Sequence, residues 1–495
     1  MIERLRELEH LSRRLEPDPH ARARLREPIV EYAERFLDEL GRTPAYRSDT
    51  TAARDLRDVR IPEEPVPPEH VVALLDRCVD TPGLKPSSAG HLAYIPGGGL
   101  YPSSLGDYIA AITNHYAGIA YAGPGAVEME NLLIRWMAEV VGFPEGSGGN
   151  LASGGSVANL IAVVTAREAR GLRAAEYSRA VVYGTEQMHH CLEKALHIAG
   201  LGECQVRHVP MDDGGRMRPT ELAAAVAEDR RAGRRNPWMV IASAGTTDVG
   251  AVDPLDEIGE VAREEGLWYH VDAAYGGFFA LCPEFRPKLR GMAQADSLVL
   301  DPHKGLFLPY GLGAVLVRDD ETLRGAHTRH AHYLQDTHRE DGGAPSPADR
   351  SPELTKHWRA PRMWLPLMLF GTRPFRAALE EKALLARYFR ERALEMGFEV
   401  GPEPDLSVVH YRWVPAEGDA DAFNRALLRA ILEDGHTFIS STTLNGTFVL
   451  RLAALCFRTH LYTVDRYLAF LRQTLEDLGE TPLTSRAAPE AKSVP

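Results

Sequence analysis

Short apolar segments alternate with amphipathic segments between about residues 125 and 320, and this alternation restricts the fold more than any other feature of the sequence. The apolar segments "RAVVYG", "WMVIASAG", "LWYHVDAAYGG", "DSLVLDP" and "GAVLVRD" are rich in β-branched residues, which is typical of buried strands. Intervening segments such as "PLDEIGEVAREEG" have the apolar spacing of helices. This order predicts an α/β fold whose parallel sheet is covered on both faces.

The chain has 495 residues, which is too long for one ordinary core, so a large domain with smaller attachments is expected. An amphipathic helix is predicted over residues 22–40, interrupted early by Pro28. The end of the chain is small, polar and proline-rich, which is typical of disorder. We predict an N-terminal helical arm over 1–85, a large α/β domain over 86–375, a small α+β domain over 376–480 and a disordered tail over 481–495.

Charge and cysteine content limit the classes of partner. Lys and Arg number 56 and Asp and Glu number 69, for a net charge of −13, so neither nucleic acid nor an anionic membrane is expected as a partner. The five cysteines include no CxxC pair, and the charged N-terminus has no apolar core of a secretory signal. The protein is therefore expected in the cytoplasm, with a small-molecule substrate and no membrane-spanning segment.

Three predicted strand ends or loops carry residues that suit an anionic, planar ligand. Gly154-Gly155-Ser156 stands where a loop meets a helix, so its backbone N–H groups suit a phosphate, although the same residues also suit a tight turn. Asp272 ends a buried strand and suits either a capped turn or a heterocyclic N–H⁺. Lys304 follows another strand end, where it is either an ordinary surface lysine or an amine whose pKa is depressed. A phosphate site, a buried carboxylate and a lysine on one sheet edge are what pyridoxal phosphate requires.

Taken together, these motifs resemble the group II pyridoxal-phosphate-dependent amino-acid decarboxylases, the family of aromatic-L-amino-acid decarboxylase. The resemblance covers about residues 80–475 and includes "DPHKG", "HVDAAYGG" and the "HHCLEKA" segment. It implies the fold of the type I PLP-dependent transferases, with a mixed, mostly parallel sheet and a small α+β domain. It also implies a homodimer with shared active sites.

The resemblance assigns roles to individual residues. Lys304 is the implied Schiff-base lysine, Asp272 the partner of the pyridinium nitrogen, and His189 the residue stacked on the ring. The whole implied cofactor set is Gly154, Gly155, Ser156, His189, Thr247, Asp272, Ala274, Asp301, His303 and Lys304. Asp301 departs from the asparagine of some members, and Gly305 from a tryptophan.

A tyrosine on a mobile loop and four pocket positions complete the implied site. The tyrosine falls on Tyr333, where aldehyde-forming relatives carry phenylalanine, so it favours an amine product. A metal site is not expected, because the loop histidines His327, His330, His332 and His338 have no carboxylate or cysteine at a recognised spacing. The implied substrate pocket contains Tyr94, Ile95, Pro96 and Gly118, of which Ile95 and Gly118 replace aromatic residues and suggest a pocket that is either roomier or filled differently.

The predicted function is decarboxylation of an aromatic or other hydrophobic L-amino acid to a primary amine and CO2, with Lys304, His189, Asp272 and Tyr333 as catalytic residues. One alternative is another reaction on the same cofactor: oxidative deamination to an aldehyde, transamination or C–C cleavage. A second is a non-catalytic homologue that only binds the cofactor. No Lys or Arg in residues 91–125 stands out to pair a second substrate carboxylate, which disfavours glutamate and aspartate.

Overall fold

The computed structural model describes residues 1–233, 235–329 and 345–482. Its strands are β1 (Tyr46–Arg47), β2 (Gly83–Leu84), β3 (Gly148–Ala152), β4 (Ala180–Gly184), β5 (Gln205–His208), β6 (Asn236–Ser243), β7 (Trp268–Asp272), β8 (Ser297–Leu300), β9 (Gly313–Val317), β10 (Glu399–Val400), β11 (Val408–Arg412), β12 (Ser440–Leu444) and β13 (Thr447–Ala453). Its α-helices are α1 (Ile2–Ser12), α2 (Pro19–Glu39), α3 (Thr51–Arg54), α4 (Pro68–Leu75), α5 (Tyr101–Thr113), α6 (Pro124–Val141), α7 (Gly155–Ala169), α8 (Cys191–Ile198), α9 (Pro219–Ala232), α10 (Leu255–Glu264), α11 (Arg286–Leu289), α12 (Pro302–Gly305), α13 (Asp320–His327), α14 (Ala360–Phe370), α15 (Arg373–Met396), α16 (Ala420–Asp434) and α17 (Leu461–Asp477).

A seven-stranded sheet with the order β3-β9-β8-β7-β6-β4-β5 forms the centre of the molecule. The strands from β5 to β8 pair in parallel, whereas β9 runs antiparallel to both β8 and β3. A parallel neighbour needs a crossover connection, usually a long helix, that carries the chain back to the start of the sheet. Between β8 and β9 there is only the single-turn helix α12, so β9 pairs antiparallel with β8. The predicted α/β fold with a mixed, mostly parallel sheet is confirmed.

Helices cover both faces of this sheet, because successive side chains of each strand point to opposite faces. On one face, Tyr269 and Val271 of β7 belong to a core that includes residues of α6, α9 and α10. On the other face, Trp268 belongs to a core that includes residues of α7 and α8. Strand β7 is buried along its whole length, so its carboxyl end brings Asp272 to the sheet edge inside the protein.

A second sheet lies in the C-terminal part of the chain, with the order β10-β11-β13-β12 and antiparallel pairing throughout. Helices α15, α16 and α17 contribute Phe389, Leu427 and Leu471 to the core beside it. The expected helices over 373–397, 420–434 and 463–478 are present within two residues of their predicted bounds. Strand β12 was not predicted, because its serine and threonine residues carry no apolar alternation.

The N-terminal helices differ from the expectation in one respect. Helix α2 is continuous from Pro19 to Glu39 and contains Pro28, so the predicted interruption is wrong. A proline inside a helix removes one backbone hydrogen bond, and this helix tolerates that loss. Neither α1 nor α2 buries a side chain in the single chain, and Leu8, Ile29 and Val30 are among their exposed apolar residues.

Hydrogen bonds to Asp405 and Ser407 are among those that join the C-terminal sheet to the rest of the protein. The buried carboxylate of Asp405, just before β11, accepts hydrogen bonds from Arg216 Nε at 2.9 Å and from the backbone N–H of Val252 at 2.9 Å. The hydroxyl of Tyr275 lies 2.7 Å from Ser407 Oγ. Across the described ranges, no helix combines the length and the apolar character that a bilayer crossing requires.

Candidate active site

A cavity of about 290 Å³ lies at the carboxyl ends of the parallel strands. This is the edge at which ligands bind in open α/β sheets. The cavity contains all the residues that the sequence predicted as cofactor contacts: Gly154, Gly155, Ser156, His189, Thr247, Asp272, Ala274, Asp301, His303 and Lys304. These residues come from parts of the chain 150 positions apart, so the fold brings together what the sequence separates.

The loop between β3 and α7 forms one end of the cavity. Gly154 has a φ of 157°, a backbone conformation that residues with side chains rarely adopt, and Gly155 opens α7. A Cβ atom on Gly155 would lie 2.9 Å from Asp301 Oδ2, so a side chain at this position would fill the space. Because the first N–H groups of an α-helix have no partner within the helix, the start of α7 offers donors to an anion.

Asp272 also lines the cavity, as the last residue of β7. Its Oδ1 accepts a hydrogen bond from the backbone N–H of Ala274 at 3.1 Å, and its Oδ2 accepts one from Asn159 Nδ2 at 3.3 Å. Each oxygen therefore has one donor and retains a lone pair for a further donor. A protonated ring nitrogen in the cavity is a donor of this kind.

Lys304 follows β8 on the single-turn helix α12, and its Nζ lies 3.0 Å from Asp301 Oδ2. Burial opposes the ammonium form, but the carboxylates of Asp301 and Asp272 outweigh it and raise the pKa of Lys304 above its usual range. The depressed pKa that the sequence suggested is therefore wrong for the cofactor-free protein. The reason is Asp301, whose Oδ1 is buried and has no hydrogen-bond partner among the described residues.

The two histidines of the cavity are held by backbone groups. His189 Nδ1 accepts a hydrogen bond from the backbone N–H of Cys191 at 3.2 Å, so the neutral ring carries its proton on Nε2. Burial is the main cause that lowers the pKa of His189. His303 Nδ1 lies 2.6 Å from the backbone oxygen of Leu312, to which it donates, and burial again lowers the pKa of its ring.

Several groups at the site were missed by reasoning from the sequence. Asn159, Gln187, Cys191, Ser243 and Tyr275 also line the cavity. Asn159 had a signal, because it is a polar residue on the buried face of the otherwise apolar segment "SVANLIAVV". The others lie beside predicted residues and carry no motif of their own.

Arg451 was missed as well, although an arginine within the apolar strand β13 is unusual. Its side chain is buried, and its Nη1 donates to Ser440 Oγ at 2.8 Å. It also donates to three backbone oxygens, those of Tyr94, Thr247 and Asp248. Arg451 thereby ties the Thr247 end of the cavity to the C-terminal sheet and to the segment that contains Tyr94.

The predicted substrate-pocket residues do not line this cavity. Tyr94 is 57% exposed and has a φ of 54°, whereas Ile95 and Pro96 are buried. A Cβ atom on Gly118 would lie 1.9 Å from the backbone oxygen of Leu354, so the space beside Gly118 is filled by backbone rather than open. Of the two expectations for the pocket, the geometry at Gly118 agrees with a space that is filled differently and not with a roomier one.

The remaining sequence candidates fall mainly after α13 in the chain. Tyr333, His330, His332 and His338 lie outside the described residues. His327 is described, and its Nε2 lies 3.1 Å from Thr165 Oγ1. Within the described ranges, no group of three or more histidine, cysteine, aspartate or glutamate residues is arranged to hold a metal ion.

The cavity fits pyridoxal phosphate in its size, its anion-binding end, its carboxylate end and its lysine. With the sheet topology, these groups define the class of fold type I pyridoxal-phosphate enzymes. The model of the family described as "Pyridoxal-dependent decarboxylase conserved domain" matches residues 52–414, and the chain belongs to this family.

Two curated relatives and one solved structure show the extent of the similarity. Aromatic-L-amino-acid decarboxylase of Bacillus atrophaeus is 32% identical over 418 residues, which cover 83% of this chain and 86% of that protein. Phenylacetaldehyde synthase of Arabidopsis thaliana is 30% identical, with 78% and 82% of the two chains covered. The structure of Oryza sativa TDC with PLP and tryptamine matches with a TM-score of 0.88 and 25% identity, covering 93% of this chain and 99% of that one. The protein is a PLP-dependent amino-acid decarboxylase, as predicted.

Proposed function

We propose that the substrate is an aromatic L-amino acid and that the products are its primary amine and CO2. The observation that carries the proposal is the placement of Lys304, Asp272 and the start of α7 around one 290 Å³ cavity, in a chain 32% identical to an aromatic-L-amino-acid decarboxylase. Bound pyridoxal phosphate supplies an electron sink for the electron pair that remains when CO2 leaves.

Each end of the cavity has a part in this reaction. The N–H groups of Gly155 and Ser156 would hold the phosphate, and the amine of Lys304 would be the point of covalent attachment for the cofactor. Asp272 would accept a hydrogen bond from the ring nitrogen and would favour its protonated form. Since the donors from Ala274 and Asn159 orient the carboxylate of Asp272, that proton has a defined acceptor.

His189 and the adjoining residues define the faces of the cavity. The backbone contact of His189 uses Nδ1, so its Nε2–H can donate to a substrate carboxylate or to the cofactor. Ala274 also lines the cavity and has a small side chain, and the backbone oxygen of Thr247 is bonded by Arg451. We assign the protonation of the substrate α-carbon to Tyr333, on the strength of the family resemblance.

The second candidate product is an aldehyde, because a relative that is 30% identical is a phenylacetaldehyde synthase. A panel of amino acids with measurement of CO2, amine, ammonia and hydrogen peroxide distinguishes the two reactions. Equal amounts of CO2 and amine support our proposal, whereas aldehyde with ammonia as the main products would refute it. Tyr333→Phe is expected to increase the aldehyde fraction, and an unchanged product ratio would contradict the role of Tyr333.

The covalent role of Lys304 has an independent test. Borohydride reduction of the cofactor-loaded protein should leave the cofactor attached to the peptide that contains Lys304, as mass spectrometry can show. Lys304→Ala should lose both this attachment and CO2 release. Lys194→Ala is the matched control, because Lys194 is exposed on α8 and away from the cavity, and it should retain both. A protein that retains the cofactor without turnover on any amino acid would instead be the non-catalytic homologue.

We also propose that two copies of the chain form the active unit in the cytoplasm. The proposal for a dimer is supported by α1 and α2, which expose apolar side chains and bury none within the single chain. All five cysteines are free, which suits a reducing compartment. Sedimentation or light scattering tests the assembly, and a variant that lacks residues 1–40 should be monomeric if these helices hold the dimer.

A further inference from the structure

Behind Asp272, on the side away from the cavity, lies a row of buried polar side chains whose positions follow from the sheet. Trp268, His270 and Asp272 alternate along β7, so they share one face of the strand. Ser297 of β8 lies opposite His270 in the parallel register. Asn159 reaches the same face from α7, one turn after Gly155 at the phosphate end. His270, Ser297 and Asn159 are fully buried.

These side chains form an unbroken series of hydrogen bonds that ends on the carboxylate. Trp268 Nε1 lies 2.9 Å from Ser297 Oγ, and Ser297 Oγ lies 2.8 Å from His270 Nδ1. His270 Nε2 lies 2.8 Å from Asn159 Oδ1. Asn159 Nδ2 then lies 3.3 Å from Asp272 Oδ2 and 3.4 Å from Cys191 Sγ.

The two ends of the series fix the direction of every proton in it. The indole N–H of Trp268 can only donate, so Ser297 Oγ accepts from it and turns its own proton to His270 Nδ1. Burial lowers the pKa of His270 to about 4, so its ring is neutral and carries one proton, which must then lie on Nε2. That proton is donated to Asn159 Oδ1, which directs the amide N–H of Asn159 to Asp272.

The opposite direction is disfavoured on chemical grounds. If Asn159 were turned over, its carbonyl oxygen would face Asp272 Oδ2 at the 3.3 Å separation, and two acceptors would repel each other. Ser297 would then accept from both Trp268 and His270, and its own proton would have no partner in the series. A buried donor without a partner costs about 1–3 kcal/mol.

We propose that Trp268, Ser297, His270 and Asn159 form a one-directional hydrogen-bond relay that positions Asp272 for the ring nitrogen of the cofactor. The inference rests on the proposed role of Asp272 and extends it to residues that do not belong to any motif. The relay acts through Asp272, so its members other than Asn159 are positioning residues without contact to the cavity. Because Asn159 lies on α7, the relay also couples the carboxylate to the helix whose start binds the phosphate.

The tautomer of His270 tests the relay without any reaction. Nitrogen NMR of the cofactor-free protein labelled with ¹⁵N-histidine should show His270 protonated on Nε2 alone from pH 6 to pH 8, assigned by the signal that His270→Gln removes. Asp272 is the charged group that faces this ring, with Ser297 and Asn159 as its other polar neighbours. Protonation on Nδ1 or on both nitrogens would overturn the relay.

Cofactor affinity gives a second readout. Asn159→Asp places a second carboxylate against Asp272 and should weaken pyridoxal phosphate binding at pH 7.5 by about tenfold to a hundredfold, with partial recovery at lower pH. Asn424→Asp is the matched control, since Asn424 is equally buried but bonds Trp413 near the C-terminal sheet. This control should leave the affinity unchanged. Equal loss of affinity in both variants would overturn the relay.

A conservative pair at His270 separates positioning from packing. His270→Gln retains an N–H for Asn159, whereas His270→Leu removes it. We expect the Gln variant to keep affinity within about threefold of the parent and the Leu variant to lose about tenfold or more. The pH profile of the visible absorption of the bound cofactor should shift only in the Leu variant. Equal behaviour of the two variants would show a purely structural role, and a failure of the proposed decarboxylation would leave the tautomer result unaffected.

Discussion

The exchange of Asp301 for asparagine tests how this chain controls its lysine. In the cofactor-free protein, the Asp301 carboxylate lies 3.0 Å from Lys304 Nζ and is almost fully buried, while the lysine side chain is 24% exposed. Asp301→Asn removes the negative charge but keeps the size of the side chain and an oxygen that can accept a hydrogen bond. We therefore expect the pKa of Lys304 to fall, because burial, which disfavours the ammonium, is then opposed mainly by Asp272.

The size of the effect follows from the geometry. Two unit charges 3.0 Å apart attract each other by about 5.5 kcal/mol at an effective dielectric constant of about 20. Water in the cavity and the retained hydrogen bond reduce the net change. Since about 1.4 kcal/mol corresponds to a factor of ten, a quarter of this attraction is enough to increase the free amine about tenfold at a pH below the pKa of Lys304.

Competitive labelling of the cofactor-free protein with trace acetic anhydride measures the free amine. The labelling rate of the Lys304 peptide is compared with that of Lys194, which is exposed and serves as the internal reference. Asp301→Asn should raise the ratio at least tenfold at pH 8. Asp272→Asn should raise it less, because no contact within 4 Å joins Asp272 to Lys304 among the ion pairs of the described residues. A ratio within twofold of the parent for Asp301→Asn would refute the reasoning.

Three further predictions concern stability and thiol reactivity. Lys356→Met leaves Glu130 buried without its 2.7 Å ion pair and should destabilise the protein by about 3–5 kcal/mol in urea titrations. Adding Glu130→Gln should restore part of the loss, and equal stability of the parent and the single variant would contradict the prediction. Burial raises the pKa of the Cys191 thiol to about 12, so iodoacetamide at pH 7.5 should label this thiol only after unfolding. Peptide mass spectrometry measures the labelling, and rapid labelling of the native protein would contradict the prediction. Burial tends to raise the pKa of Asp405, but hydrogen bonds from Arg216 and Lys288 outweigh burial and lower this pKa. The ionised carboxylate therefore stabilises the fold above the unfolded pKa near 3.8, and this stabilisation is lost as the pH falls through the lower folded pKa. The difference in unfolding free energy between the parent and Asp405→Asn should narrow below about pH 4, and a difference independent of pH would contradict the prediction.

The pattern of apolar segments was sufficient to predict the large sheet, because a strand buried on both faces must be apolar throughout. The segments that predicted β4, β7, β8 and β9 contain those strands, whereas β6 begins two residues before its predicted segment. Strand β3 was not predicted, since "GGNLA" lacks β-branched residues. The structure explains its composition: a Cβ atom on Gly149 would lie 2.5 Å from the backbone oxygen of Val315 in β9, so this strand requires glycine where it pairs.

The candidate site was predictable only as far as its direct contacts with the cofactor. Lys304 and Asp272 stand at the ends of apolar strand segments, with a glycine or proline within four positions, so the sequence pattern identifies them. Asn159, His270 and Ser297 stand within apolar segments. Asn159 and His270 are 111 positions apart, and His270 and Ser297 are 27 positions apart. Their connection depends on the pairing of β7 with β8 and on the packing of α7, which no local spacing encodes.

Gly305 shows how an unusual residue in a motif can be explained by a distant one. A Cβ atom on Gly305 would lie 2.8 Å from the Cβ of Phe278, so a larger residue after Lys304 has no space unless Phe278 moves. Phe278 is fully buried and stacks with Trp136 at 6.2 Å between ring centroids. The volume that a tryptophan after the lysine would occupy is therefore filled by Phe278, from the 3-10 helix Gly277–Leu281 that follows β7, and by Trp136 of α6. These elements set the packing next to Lys304.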